Sequence, residues 1–155
     1  MTPNQKAFLD MIAISEIGQG LLDVSDNGYN VIVGSTPSHP ILFNDYSTHP
    51  RKLIDLGNGL KSTAAGRYQL LARYYEPYRL QLGLPDFSPD SQDAIALQQI
   101  RECKAIGNID TGRFHIAVAQ CARIWASLPG AGYGQHENSM EKLEAAYITA
   151  GGTLA

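Results

Sequence analysis

One carboxylate stands where an apolar helix should have none. The stretch Ile12-Ala13-Ile14-Ser15-Glu16-Ile17-Gly18 ends a helical pattern. Four-residue steps back from Glu16 reach Ile12 and Phe8, so all three share a face. A surface helix turns its apolar stripe to the core and its charges away from it, as Asp10 does here. Glu16 breaks the rule. Either it lies where the stripe runs out into solvent, or it is a carboxyl held in a partly apolar setting. The second case raises its pKa and suits it to general acid catalysis.

Other chemistry is sparse. There is no Gly-x-Ser-x-Gly elbow and no P-loop, and Gly130-x-Gly132-x-Gly134 follows a helix rather than a strand, so it is no dinucleotide turn. His39, His49, His115 and His136 lack partners at metal-ligand spacing and read as surface residues, so no metal or other cofactor is expected. Cys103 and Cys121 sit in apolar helical patterns and read as buried thiols of a chain folded in a reducing compartment.

Two loops share a vocabulary. Ser62-Thr63-Ala64-Ala65-Gly66-Arg67-Tyr68-Gln69 sets small residues before Arg, Tyr and Gln, and Pro129-Gly130-Ala131-Gly132-Tyr133-Gly134-Gln135 sets bare backbone beside one Tyr and one Gln. Small residues admit a ligand to the backbone, while Tyr and Gln give a stacking face and amide hydrogen bonds suited to N-acetylated sugars. The first run equally fits a tight turn into a helix with Arg67 in a structural salt bridge. The second equally fits a plain interhelical connection. Tyr74, Tyr75 and Tyr78 read as core and surface residues rather than a binding platform.

These residues need positioning elements. Thr2-Pro3 pairs a capping hydroxyl with proline at the first helical position, and Gly18 and Gly20 end the helix that follows. From Leu21 to Asn58 helical periodicity vanishes. Tyr29–Val33 and Ile41–Phe43 predict a small antiparallel hairpin joined through Gly34–Ser38. A short helix is expected over Arg51–Ile54, stopped by Gly57, and a longer one from Arg67 to about Leu82 with Pro77 as a kink or break. Ser88-Pro89 starts a helix running to about Lys104. Asp110-Thr111 caps another carrying Phe114, Val118 and Cys121, and a last helix runs from Asn138-Ser139 to Gly151. The sum is α+β, mostly helical, with a small lobe over 21–58 that can form one wall of a cleft.

At 155 residues the chain is expected to form a single domain. Its 44% apolar and 17% charged residues are ordinary for a soluble globular protein, and a net charge of −3 argues against a nucleic-acid groove. No signal-peptide pattern opens the chain, and no run of about 18 apolar residues could span a membrane. Synthesis in the cytoplasm without stable membrane association is therefore expected.

The motifs also carry a resemblance. Lys6-Ala7-Phe8-Leu9-Asp10-Met11, Ser15-Glu16, Gly28-Tyr29-Asn30-Val31-Ile32-Val33-Gly34, the run from Asp45 to Leu53, Ser62 to Leu71, Gln81 to Leu84, Asp86 to Pro89 and the run from Ile124 to Gln135 resemble the bacteriophage-lambda type of endolysin across nearly the whole chain. The resemblance implies a lysozyme-like fold and lytic transglycosylase activity. Such an enzyme cuts the β-1,4 bond between N-acetylmuramic acid and N-acetylglucosamine in peptidoglycan. The muramic C6 hydroxyl closes on C1, leaving a 1,6-anhydro end. The family's catalytic glutamate carries over to Glu16. Its sugar-contacting positions carry over to Tyr29 and Asn30 on the hairpin, to Ser62, Thr63, Arg67, Tyr68 and Gln69, and to Tyr133 and Gln135. It further implies a monomer made in the host cytoplasm and released to the periplasmic wall by a separate holin.

This chain departs from the pattern in three places. It has Asn30 where the family's best-known member has Asp. Its connection between Gly34 and Phe43 is longer, by Ser35-Thr36-Pro37-Ser38-His39-Pro40. Its C-terminal helix matches more weakly. A hydrolase normally needs two carboxyls, whereas an internal hydroxyl nucleophile lets one serve as acid and then as base. Asn30 is therefore expected not to abolish activity, and Asp45 reads as a local turn cap. A water-using muramidase and a non-catalytic peptidoglycan-binding module are the competing readings.

Overall fold

The structure is a computed structural model that describes residues 1–134 and 136–155. The described residues form helices α1 (Pro3–Asp23), α2 (Ala72–Leu82), α3 (Pro89–Glu102), α4 (Ile106–Asp110), α5 (Phe114–Cys121) and α6 (Met140–Thr149), with strands β1 (Ile54–Asp55) and β2 (Lys61–Ser62). The chain divides into two compact units. Met1–Glu16 with Ala96–Ala155 form one, and Ile17–Ile95 form the other.

The first unit is helical. Thr2 Oγ1 accepts the Gln5 amide at 3.2 Å, so Thr2 caps α1 and Pro3 begins it. Phe8 meets the edge of Phe114 at 6.0 Å, and Phe114 stacks on Tyr147 of α6 at 4.7 Å. Ala7, Met11, Ile12, Ile100, Leu128 and Leu143 fill the rest of this core, and both cysteines are buried free thiols. Asn4 ties the ends together: its amide donates to the Ile109 carbonyl at 3.0 Å and its oxygen accepts the Thr153 amide at 3.0 Å. Ser139 caps α6 through the Lys142 amide. Asp110 does not cap α5 as expected. Arg113 holds that position without a side-chain bond, and Asp110 instead accepts from Thr2 and Gln5 near the start of α1.

The second unit holds the β structure. Ile32 donates to Ile41 at 2.8 Å and Phe43 to Asn30 at 3.0 Å, which is the expected hairpin reduced to an isolated bridge at Val31 and Leu42. A third segment joins it, because Val33 donates to Ala64 and Gly66 to Val31. The regular sheet lies elsewhere. Ile54 pairs with Ser62 and Asp55 with Lys61, antiparallel, where a short helix was expected over 51–54. The cause is the turn: Gly57, Asn58 and Gly59 all take positive φ, and Asp55 accepts the Gly57 amide. This turn reverses the chain and lets β-branched Ile54 pair rather than coil. The helix expected from Arg67 begins only at Ala72, after a turn closed by the Ala65–Leu70 bridge, and α2 then runs unbroken through Pro77.

Ile32, Phe43, Leu70, Tyr75, Phe87 and Ile95 form this unit's core. His49 belongs to it, contrary to the surface position expected. It is 1% exposed and its ring lies 5.0 Å from Phe87. Its Nδ1 accepts the Arg51 amide at 2.9 Å, so Nε2 carries the proton and donates to the Leu70 carbonyl at 2.8 Å. Burial holds its pKa below the usual histidine value.

Candidate active site

Glu16 ends the first unit's share of α1. Two residues later Gly18 leaves helical geometry (φ 81°, ψ 155°), a conformation that a side chain would strain, so the glycine fixes where the first stretch of helix stops. The Glu16 Oε2 accepts the Ser127 hydroxyl. Ser127 and Ser15 share a hydrogen bond of 2.8 Å, and Asn138 Nδ2 donates to the Ser15 carbonyl at 3.0 Å and to its hydroxyl at 3.1 Å. Burial pushes the Glu16 carboxyl up to about 7, against the opposing pull of Ser127. A carboxyl balanced near neutrality can give a proton and take one back. Elsewhere in this unit Asp10 pairs with Lys6 at 2.9 Å, and Glu137 is bound by backbone amides.

The second unit gathers Tyr29, Arg67 and Tyr68 around a carboxylate that the sequence did not point out. Asp93 Oδ1 accepts the Tyr68 hydroxyl at 2.6 Å and the Tyr29 hydroxyl at 3.0 Å. The Arg67 guanidinium lies 5.3 Å from the Tyr29 ring and 5.6 Å from the Tyr68 ring, and donates to the Tyr68 hydroxyl and the Asn27 carbonyl. Burial raises the Asp93 carboxyl above the usual range, and burial followed by the Asp93 charge pushes the Tyr29 hydroxyl up to about 12. Gln92 closes the arrangement by accepting the Arg67 amide and donating to Tyr29 and Phe87 carbonyls. Gly66 is required here: its φ is 86°, and a Cβ would strike the Gln92 amide and the Phe87 ring.

The remaining expected contacts do local work. Asn30 Oδ1 accepts the Asp26 amide at 2.8 Å. Ser62 and Thr63 hydroxyls accept the amides of Ala64 and Ala72. Gln69 takes a positive φ and donates to the Gly66 carbonyl at 2.8 Å. Asp45 accepts the Ser47 amide, the turn cap that was expected. Arg67 and Tyr68 are each 5% exposed, whereas Tyr133 is 56% exposed and donates to the Arg123 carbonyl. The glycine loop is held by Glu137, whose two oxygens accept the Gly130 amide at 2.9 Å and the Gly132 amide at 3.0 Å. Gln135 lies outside the described residues.

Sequence reasoning missed Asp93, Ser15, Ser127, Asn138 and Glu137. Only Glu137 left a local signal, an acidic residue a few positions after amides that a glycine loop leaves unpaired. Among the described residues no group of three or more His, Cys, Asp or Glu is arranged to hold a metal ion. Among the described residues no helix is long and apolar enough to cross a membrane. A cavity of about 320 Å³ beside Arg113, Phe114 and Glu144 is lined by none of the candidate site residues.

The family model for endolysins matches residues 6–154. The chain is 56% identical over 151 residues to the endolysin of Escherichia phage lambda, covering 97% of this chain and 92% of that protein. It is 49% identical over 158 residues to the endolysin of Escherichia phage P2, covering 98% and 95%. Its structure is similar to that of bacteriophage lambda lysozyme complexed with a chitohexasaccharide. The TM-score is 0.93 at 54% identity, over 100% of this chain and 98% of that one.

Proposed function

The chain belongs to the endolysin family, and from that premise we propose that it is a lytic transglycosylase of peptidoglycan in which Glu16 serves as acid and then as base. Glu16 first protonates the glycosidic oxygen between N-acetylmuramic acid and N-acetylglucosamine. The muramic C6 hydroxyl then attacks C1, and the Glu16 carboxylate takes its proton as the 1,6-anhydro ring closes. One observation carries this reading: a carboxyl pushed up to about 7 by burial and held by the Ser127 hydroxyl, balanced to give a proton and take one back. A hydrolase would need a second carboxylate to activate water. An internal hydroxyl needs none, because its effective concentration replaces that activation.

Glycan strands are the proposed substrate, a reading supported by the chitohexasaccharide bound in the lambda lysozyme structure. Tyr29, Asn30, Ser62, Thr63, Gln69, Tyr133 and Gln135 are the proposed sugar contacts, while buried Arg67 and Tyr68 stiffen the surface that carries Tyr29. The whole chain acts as one functional domain and as a monomer. Release to the wall after cytoplasmic synthesis depends on a separate pore-forming protein.

The deciding experiment digests purified sacculi and weighs the fragments. Anhydro ends lighter by one water are expected, and Glu16→Gln should release essentially none while remaining folded and no less stable than the parent. Reducing muramic ends would make the enzyme a muramidase. Binding without release would make the chain a peptidoglycan-binding module.

A further inference from the structure

Two helix ends of the first unit meet through sulfur. Cys103 follows the last residue of α3, and Cys121 is the last residue of α5. The chain turns sharply after Cys103. Lys104 takes a φ of 60°, its amide donates to the Arg101 carbonyl at 2.8 Å, and the Ala105 amide donates to Ile100 at 3.2 Å. On the other side, the Ile124 and Trp125 amides donate to the Cys121 carbonyl at 3.0 and 3.2 Å. Both backbones are thus fixed where the side chains meet. The Cys121 thiol donates to the Cys103 sulfur, so the two sulfur atoms are in contact. Arg123 bonds the same sulfur, and its Nη2 donates to the Glu102 carbonyl at 2.8 Å. Cys121 is fully buried, whereas Cys103 keeps 6% of its surface between exposed Glu102 and Lys104.

We propose that Cys103 and Cys121 are a disulfide-forming pair, reduced where the chain is made and closed by a disulfide oxidant to clamp α3 to α5. Cys103 is the attacking thiol. The Cys121 hydrogen bond and, against burial, the Arg123 charge hold it below its ordinary value, which favours the thiolate. Its sulfur attacks one sulfur of the oxidant, and the other leaves as a thiolate. The Cys121 sulfur then attacks Cys103 in the mixed disulfide and expels the second thiolate. Two electrons pass from the pair to the oxidant, and the two thiol protons end on the released thiols. Such oxidants act outside the reducing cytoplasm, so release to the wall, as proposed above, supplies the occasion. The clamp lies at the root of the segment that carries the site: the Arg123 carbonyl accepts the Tyr133 hydroxyl at 2.8 Å, and Ser127 bonds Glu16. Neither sulfur takes part in the sugar chemistry, so closure stands or falls apart from the reading of Glu16.

The test incubates the folded, reduced protein with glutathione disulfide, adds an alkylating reagent and weighs the product. The parent should lose two hydrogens, take up no alkyl group and remain a single chain. Its melting temperature should rise by roughly 5–10 °C over the reduced form, because the cross-link restricts the unfolded chain. A reductant should reverse the rise. The initial rate on sacculi should be the same in both forms, with the oxidised one surviving heating longer. Cys103→Ala should show neither the mass loss nor the rise, and Cys121→Ala should stop at a glutathione adduct on Cys103. A parent that stays alkylated at both sulfurs, stops at a glutathione adduct or links chain to chain overturns the proposal. So does a closed form that melts no higher than the reduced one.

Discussion

Asn30 shows how little of a side chain's identity is needed when its work is local. Its Oδ1 accepts one backbone amide, from Asp26, and an aspartate oxygen accepts that amide equally well. Asn30→Asp should therefore leave wall-lysing activity within about two-fold of the parent, while Asn30→Ala, which orphans the amide, should cost about 1 kcal/mol of stability. Chemical denaturation and a turbidity assay on permeabilised cells check the pair. A large activity change in Asn30→Asp would show that position 30 takes part in chemistry. Glu16 was legible in the sequence because it violates an apolar stripe, which one helix displays unaided. Ser127 and Asp93 were not. Each matters only through a partner more than 20 positions away: Ser127 through Glu16, Asp93 through Tyr68 and Tyr29.

The elements were legible where a single local rule governed them. The cap-plus-proline start of α1 and the start of α6 at Ser139 stand as read. Arg51–Ile54 misled because its residues tolerate either state, and the deciding signal, the Gly57-Asn58-Gly59 turn, lies beyond them. The run from Arg67 misled for the same reason: Gly66 and Gln69, both at positive φ, hold it in a turn until Ala72. The loop after Trp125 has its own device. Amides of Gly130 and Gly132 hold the Glu137 carboxyl below its usual range, so the pinning is present at neutral pH and fades only as acid protonates it. Glu137→Ala should release the loop, seen as faster hydrogen exchange at the Gly130 and Gly132 amides, and should lower the rate on sacculi without changing the melting temperature. Unchanged exchange would mean that the glycine loop keeps its shape without the carboxylate.

Across the molecule, half-buried Glu16 and buried His49 tilt stability in opposite directions with pH. Glu16 has its carboxyl raised from 4.5 to about 7 in the folded chain. Between those values the folded state keeps a proton that the unfolded state has lost, so stability falls as pH rises through that window. His49 is the reverse case. Its folded value lies below 6.5, and its Nδ1 must stay bare to accept the Arg51 amide. Below 6.5 the unfolded chain takes up a proton that the folded chain refuses, so this contribution is lost as pH falls. The two slopes oppose each other between about 4.5 and 6.5 and should flatten the profile there. Removing either group should expose the other. Glu16→Gln should match the parent below pH 4.5 and exceed it by about 1–3 kcal/mol above pH 7. His49→Gln should sit below the parent near pH 7 and lose less on acidification, because no proton is refused. Melting temperatures of the three proteins from pH 4 to 8 check both signs at once. A Glu16→Gln protein no more stable than the parent at pH 8 would show that Glu16 ionises at an ordinary carboxylate value. Catalysis by a carboxyl kept neutral by burial would then lose its physical basis.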